Sequence, residues 1–201
     1  MTSPARLITL HFLDGCRTKL SGTAFAPTRS LRVLDLSGYS IQRLPDSIGQ
    51  LKQLRYLNAP KIRNEFVPEC TMKLSNLIYL NLHGSSIRAL PNSIGELERL
   101  MHLDLSNCHR IHEWPVSFRN LEKLVHLNFS GCRGISGVSE SLQSLSRLEH
   151  LNLSQCRGTG VLIRPMSGLT GLQYLNLSRV PCFGLLQVLI SLTKLKYFVT
   201  P

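Results

Sequence analysis

The chain has 201 residues, of which 43% are hydrophobic, enough to bury a core, so disorder over its whole length is excluded. Leucine accounts for 38 residues, about 19% of the chain, whereas 6% of residues are aromatic and 17% are charged. Such a leucine excess indicates one apolar residue used again in equivalent places, and therefore an internal repeat. The formal net charge of +11 favours nucleic acid, an anionic membrane or an acidic protein surface as a partner, and it excludes no fold.

The N-terminal segment carries no recognisable targeting signal. Residues 1–14 hold one basic residue and a short apolar stretch, which Thr9 and His11 interrupt. This is neither a secretory signal peptide nor a membrane span. We therefore expect a cytoplasmic protein, with the nucleus as a second compartment, in which the six cysteines are reduced thiols.

The motif Leu-x-x-Leu-x-Leu, in full or degenerate copies, recurs every 23 or 24 residues along the chain. This spacing identifies a leucine-rich repeat. We predict a single domain over residues 1–201, with eight repeats and a truncated ninth. The repeats start at Leu7, Leu31, Leu54, Leu77, Leu100, Leu124, Leu148 and Leu172, and the truncated one at Leu195.

Each repeat begins with a predicted strand. The alternation Leu-x-Leu places leucines on one face of a short strand, and the rest of the unit must loop back so that the next strand lies parallel at about 4.8 Å. The predicted fold class is α/β: a leucine-rich-repeat solenoid, shaped as a curved horseshoe. Its concave side is a parallel β-sheet, and its convex side consists of loops and short 3-10 or helical turns.

The second half of the repeat is best seen in the strings IQRLPDSIGQL (41–51) and IRALPNSIGEL (87–97). Pro45 and Pro91 remove a backbone hydrogen-bond donor, and Asp46 or Asn92 is predicted to cap a short turn of helix. A bulkier version follows Trp114, with Phe118 turned inward. The corresponding halves of the last two units, 161–169 and 182–192, are the most degenerate.

Equivalent positions of adjacent repeats form columns, and the third position gives a row of aromatic and imidazole side chains. We call this row the Tyr/His stripe and predict that it binds a protein partner, because such side chains give rigid contact area with a polar tip. The alternative is that the rings stack in register and only stabilise the sheet. The stripe consists of Tyr56, Tyr79, His102, His126, His150, Tyr174 and Tyr197.

Two further columns have structural interpretations. The ninth position holds Cys108, Cys132 and Cys156, which we expect to pack as small buried apolar groups. Stacked side chains that point the same way argue against disulfides or a metal site. The fifth position holds Asp or Asn in seven repeats, and we predict that these side chains bond across neighbouring strands.

No catalytic, metal-binding or cofactor-binding motif is present in the sequence, so we predict neither an enzyme nor a cofactor. Basic residues without the aromatic motifs of RNA-binding domains do not favour sequence-specific nucleic-acid binding. A lateral row of His109, Arg133 and Arg157 is interpreted either as a contact for an acidic surface or as a solvated edge.

The strings LRVLDLSGYSIQRLPDSIGQLKQLRYLNAP (31–60) and LIYLNLHGSSIRALPNSIGELERLMHLDLSNC (77–108) carry a family resemblance. The chain resembles, over residues 4–197, the repeat domain of plant intracellular nucleotide-binding leucine-rich-repeat (NLR) disease-resistance proteins of the cereal type. The features that carry it are Leu-Pro-x-Ser-Ile-Gly-x-Leu and the cysteine at the ninth position.

The resemblance implies a recognition and autoinhibition module. In such receptors the first repeats pack on a nucleotide-binding switch domain, and later repeats sense a pathogen effector or a guarded host protein. By position, Arg32, Arg55 and Lys61 would face the switch, and the stripe from Tyr79 to Tyr174 would be available for sensing. The nucleotide-binding motifs of the family have no counterpart in this sequence, so nucleotide binding is not carried over.

Two alternatives remain open from the sequence. One is an intracellular repeat scaffold of the Ras-group type, which would show Asn at the ninth position, and the other is the substrate-recognition subunit of a ubiquitin ligase. Because both ends fall close to repeat motifs without polar end caps, we expect a fragment of a longer receptor or a truncated gene product.

Overall fold

A computed structural model describes residues 6–12, 20–25, 28–134, 139–156, 166–180 and 189–200. Within these ranges nine strands pair in chain order as one open, all-parallel sheet, which confirms the predicted solenoid. The strands are β1 (Thr9–His11), β2 (Val33–Asp35), β3 (Tyr56–Asn58), β4 (Tyr79–Asn81), β5 (His102–Asp104), β6 (His126–Asn128), β7 (His150–Asn152), β8 (Tyr174–Asn176) and β9 (Tyr197–Val199).

The strand register turns each repeat column into a physical row. Leu80 of β4 pairs with Leu103 of β5, which pairs with Leu127 of β6, and the residues on either side pair in the same way. The middle residue of each strand from β2 to β8 is buried, whereas its two neighbours are half-buried on the open face of the sheet. Equivalent side chains therefore stand beside one another on that face.

Four five-residue 3-10 helices, η1 (Asp46–Gln50), η2 (Glu69–Lys73), η3 (Asn92–Glu96) and η4 (Val116–Asn120), form much of the opposite side in the described part of the chain. The four-residue helix α1 (Ser139–Leu142) replaces them in the next repeat. Short 3-10 turns were predicted there and are confirmed. The degenerate halves at 161–169 and 182–192 lie mostly outside the described residues.

The prediction that Asp46 or Asn92 caps its helix is wrong. The N-cap residues are Pro45 and Pro91, and neither helix has a side-chain cap. The proline carbonyl instead accepts the N–H of Ile48 or Ile94 at 3.0 Å, so the backbone closes the turn by itself. Proline suits this place because its fixed φ holds the residue extended while its carbonyl still accepts the first bond of the turn.

The inward-facing leucines and isoleucines of the sheet and of the 3-10 helices form one hydrophobic core. The fifth and sixth repeats add an aromatic cluster of Trp114, Phe118 and Phe129. The Trp114 ring meets Phe118 and Phe129 edge-on, at centroid distances of 5.6 and 4.8 Å. Its indole N–H donates to the carbonyl of Gly134 at 3.1 Å, which satisfies the one polar group of the cluster.

The eighth position of the repeat adopts a left-handed backbone, which sequence reasoning missed. The φ angle is positive at Lys61, Gly84, Asn107, Gly131, Gln155 and Arg179, with values from 56° to 74°. Only two of these residues are glycines, so the pattern has no simple sequence signal. At Asn107 and Gly131 the backbone N–H donates to a carbonyl of the next repeat, at 2.7 and 2.8 Å, which ties the turn to its neighbour.

Candidate functional site

The Tyr/His stripe forms a continuous row of rings across six strands, β3 to β8. Each ring belongs to the first residue of its strand, so the spacing of the strands sets the spacing of the rings. His126 stacks on His102 and on His150, with centroid distances of 4.4 and 4.2 Å and interplanar angles of 11° and 16°. The row of three imidazoles is thus a consequence of the repeat register.

Tyrosines flank the imidazoles on both sides. Tyr79 lies 6.0 Å from His102 and Tyr174 lies 5.7 Å from His150, measured between ring centroids. Tyr56 extends the row by stacking on Tyr79 at 4.3 Å. Tyr197 also faces outward from β9, but among the described ring contacts it has none with Tyr174, and it is the most exposed member of the stripe.

A shallow cavity of about 220 Å³ opens on the sheet face along the middle of the stripe. Stripe residues from Tyr79 to Tyr174 form part of its lining. The rest of the lining consists of the fifth-position residues Asp104, Asn128 and Asn152 together with Leu103 and Leu127. The site therefore combines ring edges with carboxylate and amide groups that can donate and accept hydrogen bonds.

The fifth-position side chains are held in place by bonds within and between repeats. As predicted, they bond across strands: Asn81 donates to Asn58 at 2.9 Å, and Asn128 donates to Asp104 at 3.2 Å. The structure adds a second bond, in which the fifth-position oxygen accepts the backbone N–H two residues later, as between Asp104 and Ser106 at 2.7 Å. This Asx-type turn, which the sequence analysis did not anticipate, leads the chain out of the strand.

Packing in the row lowers the pKa of His102 and of His126 from the ordinary histidine value. Burial is the largest cause for both, because it disfavours the charged form. Charge on other imidazoles of the row adds to it, from His150 for His102 and from His102 and His150 for His126. Burial, with the nearby Tyr56, also raises the pKa of Tyr79 to about 12. At neutral pH these three groups are therefore uncharged.

Acidification is expected to destabilise the fold through these two histidines. The unfolded chain, with histidine pKa values near 6.5, binds protons more readily than the folded chain, so the free energy of unfolding falls as the pH falls below about 6.5. We expect lower stability at about pH 5.5 than at about pH 7.5, measured by urea denaturation. The variant His102→Gln/His126→Gln should lose much of this pH dependence, and an unchanged dependence would show that other groups cause it.

The imidazoles of the stripe do not form a metal centre in this geometry. Rings stacked with nearly parallel planes hold their nitrogen lone pairs in separate, nearly parallel planes, which does not favour convergence on one ion. Within the residues that the structure describes, no group of three or more His, Cys, Asp or Glu side chains could hold a metal ion.

The ninth-position cysteines lie inside the core, as predicted. Cys108, Cys132 and Cys156 are fully buried free thiols. Each thiol donates to a carbonyl of the preceding repeat, for example Cys132 to Leu105 at 3.0 Å. Burial raises the pKa of Cys108 and Cys156 to about 12, and that of Cys132 in the same direction. These thiols therefore act as structural donors and as packing groups.

Comparison with known protein families agrees with the repeat type that the spacing predicts. A family model described as a leucine-rich repeat region matches residues 63–199, about two thirds of the chain, and a leucine-rich repeat model matches residues 30–51. The chain belongs to the leucine-rich repeat family. The comparison with curated proteins finds no match.

Two solved leucine-rich repeat structures are similar in fold. A leucine-rich repeat protein of Leptospira interrogans has a TM-score of 0.66 and 22% identity, over 89% of this chain and 51% of that one. The ectodomain of the plant membrane receptor kinase GASSHO1/SCHENGEN3 from Arabidopsis thaliana, in complex with CASPARIAN STRIP INTEGRITY FACTOR 2, has a TM-score of 0.55 and 21% identity. That match covers 77% of this chain and 22% of the ectodomain. This chain thus spans about half the length of the Leptospira protein and about a fifth of the length of the plant ectodomain.

The basic residues singled out in the sequence lie at two separate edges of the leucine-rich repeat sheet. Arg32 and Arg55 immediately precede β2 and β3, and both are exposed. Lys61 follows β3 at the opposite edge, so the structure does not bring these three together. Arg133 is exposed at the same edge as Lys61, whereas Arg157 lies outside the described residues.

The helices in the described part of the chain are short. Among the described residues, no helix combines the length and the apolar character that crossing a bilayer requires.

Proposed function

We propose that the chain is a non-catalytic recognition module whose Tyr/His stripe binds a protein partner. A leucine-rich repeat region is a protein-interaction scaffold, and this chain belongs to that family. The observation that carries the proposal is the row of half-buried rings beside a 220 Å³ cavity with polar side chains in its lining. Aromatic side chains already fixed by stacking lose little conformational entropy on binding, so they are suited to recognition.

The sheet face offers a partner both apolar area and hydrogen-bonding groups. His102, His126 and Tyr79 are uncharged at neutral pH, so a partner can cover them without removing water from a charge. The carboxylate of Asp104 is the one acidic group among the cavity-lining residues. A protein segment with apolar side chains and amide or hydroxyl groups matches this surface, and the partner's backbone can bond to Asn128 and Asn152.

We further propose that this module belongs to a plant intracellular NLR disease-resistance receptor. The proposal rests on the Leu-Pro-x-Ser-Ile-Gly-x-Leu strings at 44–51 and 90–97 and on the ninth-position cysteines. In that role the stripe senses a pathogen effector or a guarded host protein, in the cytoplasm or the nucleus. The edge with Arg32 and Arg55 packs on a nucleotide-binding domain of the same receptor or of another chain.

Replacing Tyr79, His102 and His126 together by alanine tests the proposed surface. Twelve-residue peptides, selected by phage display on the unmodified chain, serve as probes, and their affinities are measured by biolayer interferometry. We expect the triple variant to bind them at least about thirtyfold more weakly, because central aromatic residues of an interface dominate its energy. A control variant with alanine at Glu96, Glu122 and Lys123, exposed outside the stripe and its cavity, should bind as the unmodified chain does.

Circular dichroism separates recognition from sheet stabilisation. If the triple variant keeps its spectrum and its thermal transition but loses the peptides, the stripe is a recognition surface. If it unfolds, the milder variant His126→Gln is used for the same binding measurement. Peptides that bind the folded variants as tightly as the unmodified chain would refute the proposed surface.

The receptor assignment has its own test, because a nucleotide-binding domain should be encoded in frame upstream of Met1.

A further inference from the structure

A second concave surface lies at the edge of the sheet where the strands end, away from the Tyr/His stripe. We call it the rim groove. It has a volume of about 180 Å³ and spans the fifth to the eighth repeat. Its lining consists of eighth-position and tenth-position residues: Asn107, His109, Gly131, Arg133, Gln155 and Arg179.

The left-handed backbone of the eighth position shapes the rim groove. Asn107, Gln155 and Arg179 have φ angles of 56° to 60°, and all three are exposed. The backbone N–H groups of Asn107 and Gln155 are already used, in bonds to carbonyls of the next repeat. Gly131 leaves room for the Asn107 side chain, whose amide oxygen lies only 2.3 Å from where a Cβ at Gly131 would stand. Recognition in the groove is therefore left to side chains.

The rim groove carries positive charge without an acidic counterpart. Arg133 and Arg179 are exposed, and neither forms an ion pair within the described part of the chain. No acidic residue is among the groove-lining residues. Arginines elsewhere differ, because Arg88 and Arg110 both pair with Glu65, at 2.8 and 2.9 Å. The groove arginines are thus available to an anionic partner.

A histidine at one end of the groove is held in a fixed orientation. The Nδ1 atom of His109 lies 2.9 Å from the carbonyl oxygen of Gly131, so Nδ1 carries the proton and donates it. This leaves Nε2 as the free polar atom of an exposed ring. With Arg133 in the next repeat and Arg179 two repeats further on, the groove thus presents one hydrogen-bond acceptor, Nε2 of His109, in line with two guanidinium donors.

The spacing of these groups selects an elongated ligand. His109 belongs to the fifth repeat and Arg179 to the eighth, so three strand spacings of about 4.8 Å separate them, or about 14 Å in total. An extended peptide covers that distance with about four residues, since it rises by about 3.3 Å per residue. We propose that the rim groove binds an acidic peptide segment of a partner protein, with Asp or Glu carboxylates bridging Arg133 and Arg179. This site is separate from the stripe and adds to the proposed function.

Anisotropy titration with a fluorescein-labelled hexapeptide, Asp-Glu-Asp-Glu-Asp-Glu, tests this site. The 201-residue chain should bind it measurably, and the Asn-Gln counterpart much more weakly. The variant Arg133→Ser/Arg179→Asn should weaken binding of the acidic peptide about tenfold, because two ion pairs are lost. Asn is chosen for position 179 because it tolerates a left-handed backbone. Raising the salt concentration should weaken binding further.

A matched variant controls for net charge. Arg63 occupies the same repeat position as Arg133 in the third repeat, and Lys194 is exposed near the end of the chain. Arg63→Ser/Lys194→Ser removes the same two charges and should change the affinity less than twofold. Equal losses in both double variants would overturn the proposal in favour of general charge attraction. The proposal would also be overturned if a six-nucleotide oligothymidylate bound more tightly than the acidic peptide and its binding depended on Arg133 to the same extent. If the groove variant loses its circular dichroism spectrum, Arg133→Ser alone is titrated against Arg63→Ser.

Discussion

Replacing Phe118 by alanine is expected to lower the free energy of unfolding by about 3–5 kcal/mol. The Phe118 side chain is fully buried in η4 and packs against the rings of Trp114 and Phe129, at centroid distances of 5.6 and 6.2 Å. Its removal leaves a cavity. The rings of Trp114 and Phe129 belong to different repeats and cannot both move to fill it. Since repeats are stabilised by their neighbours, the loss weakens the contact between the fifth and sixth repeats as well as the fifth repeat itself. Urea denaturation followed by far-UV circular dichroism measures the change.

Val116 provides the matched control for this substitution. It lies in the same 3-10 helix, two residues before Phe118, but its side chain is 69% exposed. Val116→Ala should change the free energy of unfolding by no more than about 0.5 kcal/mol. Similar losses for the two variants would mean that the aromatic cluster does not stabilise this part of the solenoid.

Replacing Gly95 by alanine is expected to cost about 1–3 kcal/mol of folding free energy. Gly95 is the glycine of the Leu-Pro-x-Ser-Ile-Gly string and lies in η3. A Cβ at this position would lie 2.5 Å from the carbonyl oxygen of Ser117 in η4 of the next repeat. The backbone of one 3-10 helix would have to move away from the other. Thermal and urea denaturation both report this loss.

Gly22 serves as the control for Gly95. A Cβ at Gly22 would have no heavy atom within 4 Å. Gly22→Ala should therefore leave stability unchanged or raise it by up to about 1 kcal/mol, through the lower entropy of the unfolded chain. If Gly95→Ala proved as stable as the unmodified chain, the close approach of η3 and η4 would not constrain this position.

The glycine of the Ser-Ile-Gly string shows how a sequence motif acquires a physical reason only in the structure. The string itself indicated a short turn, and the turn is present in η1 and η3. Gly49 and Gly95 are needed because each lies against the backbone of the next repeat. A Cβ at Gly49 would lie 2.7 Å from the carbonyl oxygen of Cys70, and a Cβ at Gly95 would lie 2.5 Å from that of Ser117. No property of the strings themselves contains that information, because the contact partners lie about twenty residues away.

For the ninth-position cysteines too, the sequence predicts the burial, and the structure adds the hydrogen bonds. Their spacing predicted a buried column, and Cys108, Cys132 and Cys156 are buried. From the sequence, the thiol is expected to act mainly as an apolar group. In the structure each thiol also donates to a carbonyl of the preceding repeat, at 3.0 to 3.2 Å. This bond satisfies a buried backbone acceptor, which would otherwise cost free energy.

The strands, their parallel order and their register follow from the spacing of the repeats alone. Leu80, Leu103 and Leu127 lie 23 or 24 residues apart, and a column of leucines can be buried only if the strands align in that register. The Tyr/His stripe must then lie on the outer face, because side chains alternate along a strand. Its role in binding a partner stays a prediction.

The effects of neighbouring repeats on one another become visible only in the folded chain. His126 stacks between His102 and His150, and burial in this row lowers the pKa of His102 and His126. The distance between the rings is not encoded in any one repeat. The rim groove depends on left-handed turns at Gln155 and Arg179, residue types that rarely adopt that backbone. The physical reason is the same in both cases: repeat spacing specifies which elements meet, whereas the bonds and contacts between repeats set local geometry and charge.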